Sequence, residues 1–373
     1  MELGTFSLRA LRRVGALLLV LALAVAACGD VDDEAAPPDE IGGELNILVM
    51  PGYEEEQIIR PFEEEFGVTV NSRNYPSSDE MFAIVSAASP GEWDIITPDT
   101  PWVERLVQAD LIEPMDPSDY PAIDDFYEHW KEFEQVFVDG QMYSIVSRWG
   151  YYGIVYNSDH VDEDVVQSIE GMWHPDYSGR VVLFDWYLPN MGMLARYLGH
   201  EQPYDIDDAE TLAEIEDVLL SLRPHVGAIA ATNADTIQAL ATGEAWLSFG
   251  GEWLQLLLKE EGHPIEVHVP DEGGVSWTES LSIMKGSQNP EAAEAFVEYM
   301  LRPETQALLA WADAFHAYVP NAEAADHLDE DAREALGLDQ PGAADEILAN
   351  IATRKIPPNE DAWQEIWERF KDA

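Results

Sequence analysis

Cysteine is almost absent: one residue, Cys28, stands in 373, so no disulfide can form within the chain. Lysine is confined to Lys131, Lys259, Lys285, Lys355 and Lys371, and all basic residues together number 19 against 73 acidic ones, a formal charge of −54. A field of that sign repels phosphate, which excludes nucleic acid as a partner and leaves a covalent anchor as the only route to an anionic lipid surface. The nine histidines are scattered singly, none at metal-ligand spacing on a helix. Equally missing are a glycine-rich phosphate loop, a nucleophile elbow and a Cys–His set, so nothing indicates an enzyme, a metal or a cofactor. Carboxylates do fall close together, but in so acidic a chain chance alone brings pairs into proximity. No internal repeat is present.

What is there begins with an export pattern. Arg9, Arg12 and Arg13 precede an uninterrupted apolar run, Val14 to Ala27, too short for a comfortable permanent membrane span. It ends in Val25-Ala26-Ala27-Cys28, which looks like a bacterial lipobox; residues 1–28 are therefore expected to be a signal segment and Cys28 the lipidated first residue of the mature chain. The Arg12-Arg13 pair fits twin-arginine export or an ordinary basic leader equally. Residues 29–43 are acidic, contain proline and have little to bury, the composition of a disordered tether. Acidic residues spread along the whole chain suit a salt-adapted host, where dissolved ions screen self-repulsion; a secreted protein in ordinary salt is the alternative.

From Glu44 the chain alternates short apolar strands with amphipathic helices, the pattern of parallel α/β sheets. Strands are expected at 45–50, 68–71, 93–97, 142–146, 150–157, 180–184 and 245–249. Helices are expected on the spacing Ile58, Ile59, Phe62, over 81–88, on Leu212, Ile215, Leu219, Leu222, and over 235–242. The length suits two lobes rather than one core. Ligands of such sheets sit beyond the carboxyl ends of the strands, which singles out the loops Met50 to Tyr53 and Asp99 to Trp102. The aromatic and acidic segment 110–140 is expected to wrap the first lobe.

The stretch His268 to Met284, HVPDEGGVSWTESLSIM, organises the rest. After the turn at Gly273-Gly274, Trp277 and Glu279 lie two apart on an extended segment and so share a face. An aromatic ring and a carboxylate aimed together suit a cationic ligand; a surface hairpin carrying one half-buried tryptophan is the other reading. Arg148, in SRWGYYGIVYN, either reaches the cleft to hold a carboxylate or pairs with an acidic neighbour.

EGG-x-x-W-x-(D/E)-S-L, followed by the helix of Asn289 to Glu304, resembles the spermidine/putrescine-type extracellular solute-binding proteins of ABC importers, and the WG segment at Trp149-Gly150 resembles their lobe crossing. The resemblance spans nearly all of 44–373. It implies an α/β, two-lobed periplasmic-binding-protein type II fold, each lobe a mainly parallel sheet flanked by helices, with the ligand cleft between. Lobe 1 would comprise 44–148 and 278–320, lobe 2 149–277 and 321–373. The implied protein is a monomeric, lipid-anchored receptor that hands a small amine-containing solute to a permease and its ATPase. Carried over by position, the ligand contacts are Tyr53, Trp277 and Glu279. The family's Ser-x-Tyr becomes Asp99-Thr100-Pro101, its second-lobe acids fall on Trp186 and Pro189 with Asp185 adjacent, and its second-lobe tryptophan becomes Phe249. With Glu279 and Asp99 as carboxylates, one or two solute charges are matched, which suits putrescine better than spermidine. An amino acid or other zwitterion opposed by Arg148 is the alternative, as is a sensor without a transport partner.

Overall fold

Leu45, Ile47, Leu48 and Val49 are fully buried in the first strand of a computed structural model whose described residues are 41–340 and 342–373. The expected signal segment, the lipidation site Cys28 and most of the tether lie outside those residues. Ten strands form one sheet: β1 (Glu44–Val49), β2 (Thr69–Asn74), β3 (Ile95–Ile96), β4 (Ile145–Asn157), β5 (Val181–Phe184), β6 (Val226–Ala230), β7 (Leu247–Gly250), β8 (Ile265–His268), β9 (Gly274–Ile283) and β10 (Ile351–Ala352). Their order is β2-β1-β3-β9-β4-β7-β5-β6, with β8 beside β4 and β10 beside β9. At each end the pairs β1–β2, β1–β3, β5–β6 and β5–β7 are parallel. In the middle β9 and β4 run antiparallel to each other and to β3 and β7 respectively.

Helices cover the sheet: α1 (Glu56–Phe66), α2 (Ser78–Ala87), α3 (Tyr187–Tyr197), α4 (Ala209–Leu222), α5 (Asn233–Ala241), α6 (Glu252–Glu260), α7 (Pro290–Leu301) and α8 (Glu360–Asp372) are the longer ones used here. In α4 Asp208 caps the N-terminus by accepting from the Thr211 amide at 2.8 Å, while Leu212, Ile215, Leu219 and Leu222 bury one stripe. The same spacing buries Trp363, Ile366, Trp367 and Phe370 in α8. No helix of the described residues is long and apolar enough to cross a membrane.

Apolar side chains gather on either side of the central strands. One body of core takes Ile47, Phe62, Trp149, Leu281, Phe296 and the wrapping residues Tyr120, Phe126, Trp130 and Phe133. A second takes Ile154, Val182, Met191, Leu219, Phe249 and Trp367, and a smaller third, Leu48, Met81, Ile96, Trp102 and Leu106, covers the other face of the first-lobe strands. Two lobes result, and the C-terminal stretch is divided between them: Leu336 and Ala344 join the first core, Ala352, Trp363 and Phe370 the second. Leu336 and Ala344 pack on the first core, after which β10 pairs with β9.

Both central strands are shared. β4 pairs through Ile145–Tyr152 with β9, then through Gly153–Tyr156 with β7, as one continuous strand of 13 residues where two pieces were expected. Its polar Ser147 and Arg148 interrupt the apolar pattern without interrupting the strand.

Candidate ligand-binding site

On β9, Trp277 and Glu279 do share a face, and opposite them in register on β4 stand Gly150 and Arg148. The hairpin reading fails, since every residue of β9 is buried. Arg148 grips Glu279, with Nε to Oε2 at 2.9 Å and Nη2 to Oε2 at 2.7 Å, and Nη2 also donates to the Pro51 carbonyl at 3.1 Å. Its guanidinium lies between the rings of Tyr53 and Phe315, 4.9 Å from each centroid. Burial by itself would depress the Arg148 pKa; Glu279 and the Tyr53 phenol reverse this and hold it above its ordinary value. Of the two readings of Arg148, pairing with an acidic neighbour is what the structure contains.

A second arginine enters from far along the chain. Arg354, two residues beyond β10, binds Asp99 through Nη2, and its amide donates to Ser276 Oγ at 3.2 Å. Its guanidinium sits 4.5 Å above the Trp186 ring. Burial pushes the Asp99 carboxyl up to about 6 despite Arg354, and Glu279 nearby adds to the rise. Asp99 and Glu279 meet through an isolated backbone bridge, so the two ion pairs lie side by side at the end of β3. Beside them, between the loop after Asp99 and the segment after Arg354, a cavity of about 340 Å³ is lined by Thr100, Pro101, Gln135 and Lys355, within the size range of small-molecule pockets.

The remaining expected contacts divide. Tyr53 is fully buried, its hydroxyl 2.7 Å from Ser147 Oγ, and burial keeps its phenol protonated far above the ordinary range. Asp185 is drawn to α8 instead, accepting from Trp367 Nε1 at 2.7 Å and pairing with Lys371 at 3.1 Å. Phe249 packs among the second-lobe core residues with 2% of its surface exposed. Thus Tyr53, Asp99, Trp186, Trp277 and Glu279 gather around two buried arginines, whereas Asp185 and Phe249 serve the second lobe's own packing. No group of three or more acidic, histidine or cysteine side chains among the described residues is placed to hold a metal ion.

Glu252 stands in no motif of the sequence. It opens α6 immediately after Gly251, whose missing Cβ would fall 1.9 Å from the Tyr151 carbonyl oxygen, so only glycine admits this approach. Its Oε2 accepts from the Tyr151 amide at 3.1 Å, while Oε1 and the Trp277 indole nitrogen, both buried, lack a hydrogen-bond partner. Burial pushes its carboxyl up to about 8, offset only in part by the amides of Tyr151 and of Glu252 itself and by the neighbouring indole.

An α/β protein of two lobes, with aromatic rings and buried charges gathered on the strands that join them, has the architecture of the periplasmic-binding type. The chain belongs to the family described as bacterial extracellular solute-binding protein, whose profile matches residues 57–335. It is 27% identical over 248 residues to the spermidine/putrescine-binding periplasmic protein of Salmonella typhimurium, covering 66% of this chain and 69% of that one. It is 25% identical over 313 residues to the putrescine-binding periplasmic protein SpuD of Pseudomonas aeruginosa, covering 80% and 82%. Among solved structures, the spermidine/putrescine ABC transporter substrate-binding protein PotD of Streptococcus pneumoniae superposes with a TM-score of 0.75 at 22% identity, covering 89% of this chain and 99% of that one. The expected two-lobed fold is the one observed.

Proposed function

We propose that this protein is the solute-binding component of an ABC importer, capturing a small amine-containing solute between its lobes and presenting it to a permease driven by an ATPase. The observation that carries this reading is the gathering of aromatic rings and buried carboxylates, Trp277 with Glu252 and Glu279, where the crossing strand β9 faces β4 across the ladder. The relatives named for spermidine or putrescine binding support an amine as ligand. Such a role requires binding, lobe closure and release, and none of the catalytic groups missing from the sequence. We assign residues 1–28 to a signal segment and Cys28 to lipidation, which would anchor a monomeric receptor at the outer face of the cell membrane or in the periplasm, with the tether 29–43 holding the domain off the membrane.

Thermal unfolding of the purified protein in high salt, with and without putrescine or spermidine, tests the reading. A solute that binds only the folded state raises its stability by about 2.7 kcal/mol at a hundredfold excess over Kd. A shift with either polyamine supports the amine assignment. A shift with neutral sugars alone, and none with any amine, overturns it.

A further inference from the structure

A cation that enters this cleft needs a carboxylate that is not already matched, because desolvating an ammonium without a partner is expensive. Glu279 is held by Arg148 and Asp99 by Arg354, both pairs deeply buried. Asp185 is matched by Lys371. Glu252 is different: it is 3% exposed and makes no ion pair among the described residues, and its Oε1 lacks a partner, as does Asp99 Oδ2 beside its arginine. That oxygen lies over β4 at Gly150, where an added Cβ would come within 1.9 Å of it and within 2.5 Å of the Trp277 indole nitrogen. Gly150 and Arg148 are two apart on β4 and share a face, so Glu252 stands one step along the same floor from the Arg148–Glu279 pair. Aromatic rings lie beside it, beginning with the Trp277 indole. Phe315 meets Trp277 edge-on at 5.5 Å and stacks on Trp253 at 5.5 Å, and Tyr151 lies beneath.

The geometry points to Glu252 as the carboxylate that receives the solute's ammonium group when the lobes part and close, with Trp277 and Phe315 as its aromatic walls and Glu279 acting as the counter-ion of Arg148 rather than of the solute. The site takes one alkylammonium head. This assignment rests on the amine-binding reading and names the residue that performs it. Trp277 packs with Trp253 and Leu254 in the second core, so the ammonium is held on the second-lobe side of the crossing strand. Binding ionises a carboxyl that burial keeps protonated at neutral pH, and therefore releases a proton. The other titratable groups facing it do not supply that proton: the phenols of Tyr151 and Tyr318 are held far above their ordinary range by burial, Tyr152 is held at about 12, and His316 bonds Glu260 at the far end of α6.

Isothermal titration of the purified protein with putrescine and with butylamine, in two buffers of different ionisation enthalpy at pH 7, decides the matter. The expected result is binding of both amines with release of close to one proton per solute, and a loss of about 100-fold in affinity together with the proton release in Glu252→Gln. Unfolding of Glu252→Gln at pH 6, where the wild-type carboxyl is itself neutral, reports whether the variant is folded. An affinity within threefold of wild type and an unchanged proton count in the folded variant would overturn the assignment while leaving amine binding intact. Failure of the wild-type protein to bind any amine overturns both.

Discussion

Replacing Glu252 by glutamine should change how stability depends on pH even with no solute present. The folded state keeps this carboxyl protonated up to about pH 8, whereas the unfolded chain releases the proton near the ordinary glutamate value of 4.5. Between those values the folded state binds more protons, so stability must fall as pH rises, and it levels off above about 8. The limiting slope is 1.36 kcal/mol per pH unit, which places the loss at about 2 kcal/mol between pH 6 and pH 8. Glutamine has the same shape and cannot titrate, so the variant keeps the wild-type value at low pH and lacks the decline. Denaturant unfolding at pH 5, 6, 7 and 8, taken as the difference between wild type and variant, cancels the background of the other acidic residues. Parallel pH profiles for the two proteins would show that Glu252 is ionised in the fold and would refute the reasoning.

Removing Arg148 by substitution with methionine should destabilise the protein by about 3–5 kcal/mol, since Glu279 is then left charged and buried without its partner. The double change Arg148→Met with Glu279→Gln should recover much of that loss in chemical denaturation; a merely additive result would deny the coupling. Gly150→Ala should displace both the Glu252 carboxylate and the Trp277 ring, lowering stability by about 1–3 kcal/mol and altering tryptophan fluorescence, and an unchanged spectrum would contradict the close packing described.

Local periodicity made much of the fold legible. The stripes Leu212, Ile215, Leu219, Leu222 and the strand at 45–50 follow from apolar spacing alone, and the shared face of Trp277 and Glu279 follows from the two-residue repeat of a strand. What periodicity cannot carry is pairing between distant segments. Arg148 meets Glu279 only because β4 and β9 lie in register, and Arg354 meets Asp99 across 255 positions of chain. Arg354 follows a short stretch of irregular composition with no motif around it. Glu252 offered a single hint, its place directly after Gly250-Gly251 at the end of a buried strand, and one acidic residue among 73 attracts no attention on composition.

The two long strands that carry the proposed site are also the ones common to both lobes. Opening this receptor therefore means flexing a paired ribbon along its length, with the backbone ladder between β4 and β9 behaving as a leaf spring. Trp277, Glu279, Arg148 and Gly150 ride on that spring at its middle. On the proposed reading, a substitution among them changes the floor of the site and how stiffly the jaws return in one stroke, so affinity and the rate of solute release are mechanically coupled and will not be tuned apart by changing these four positions.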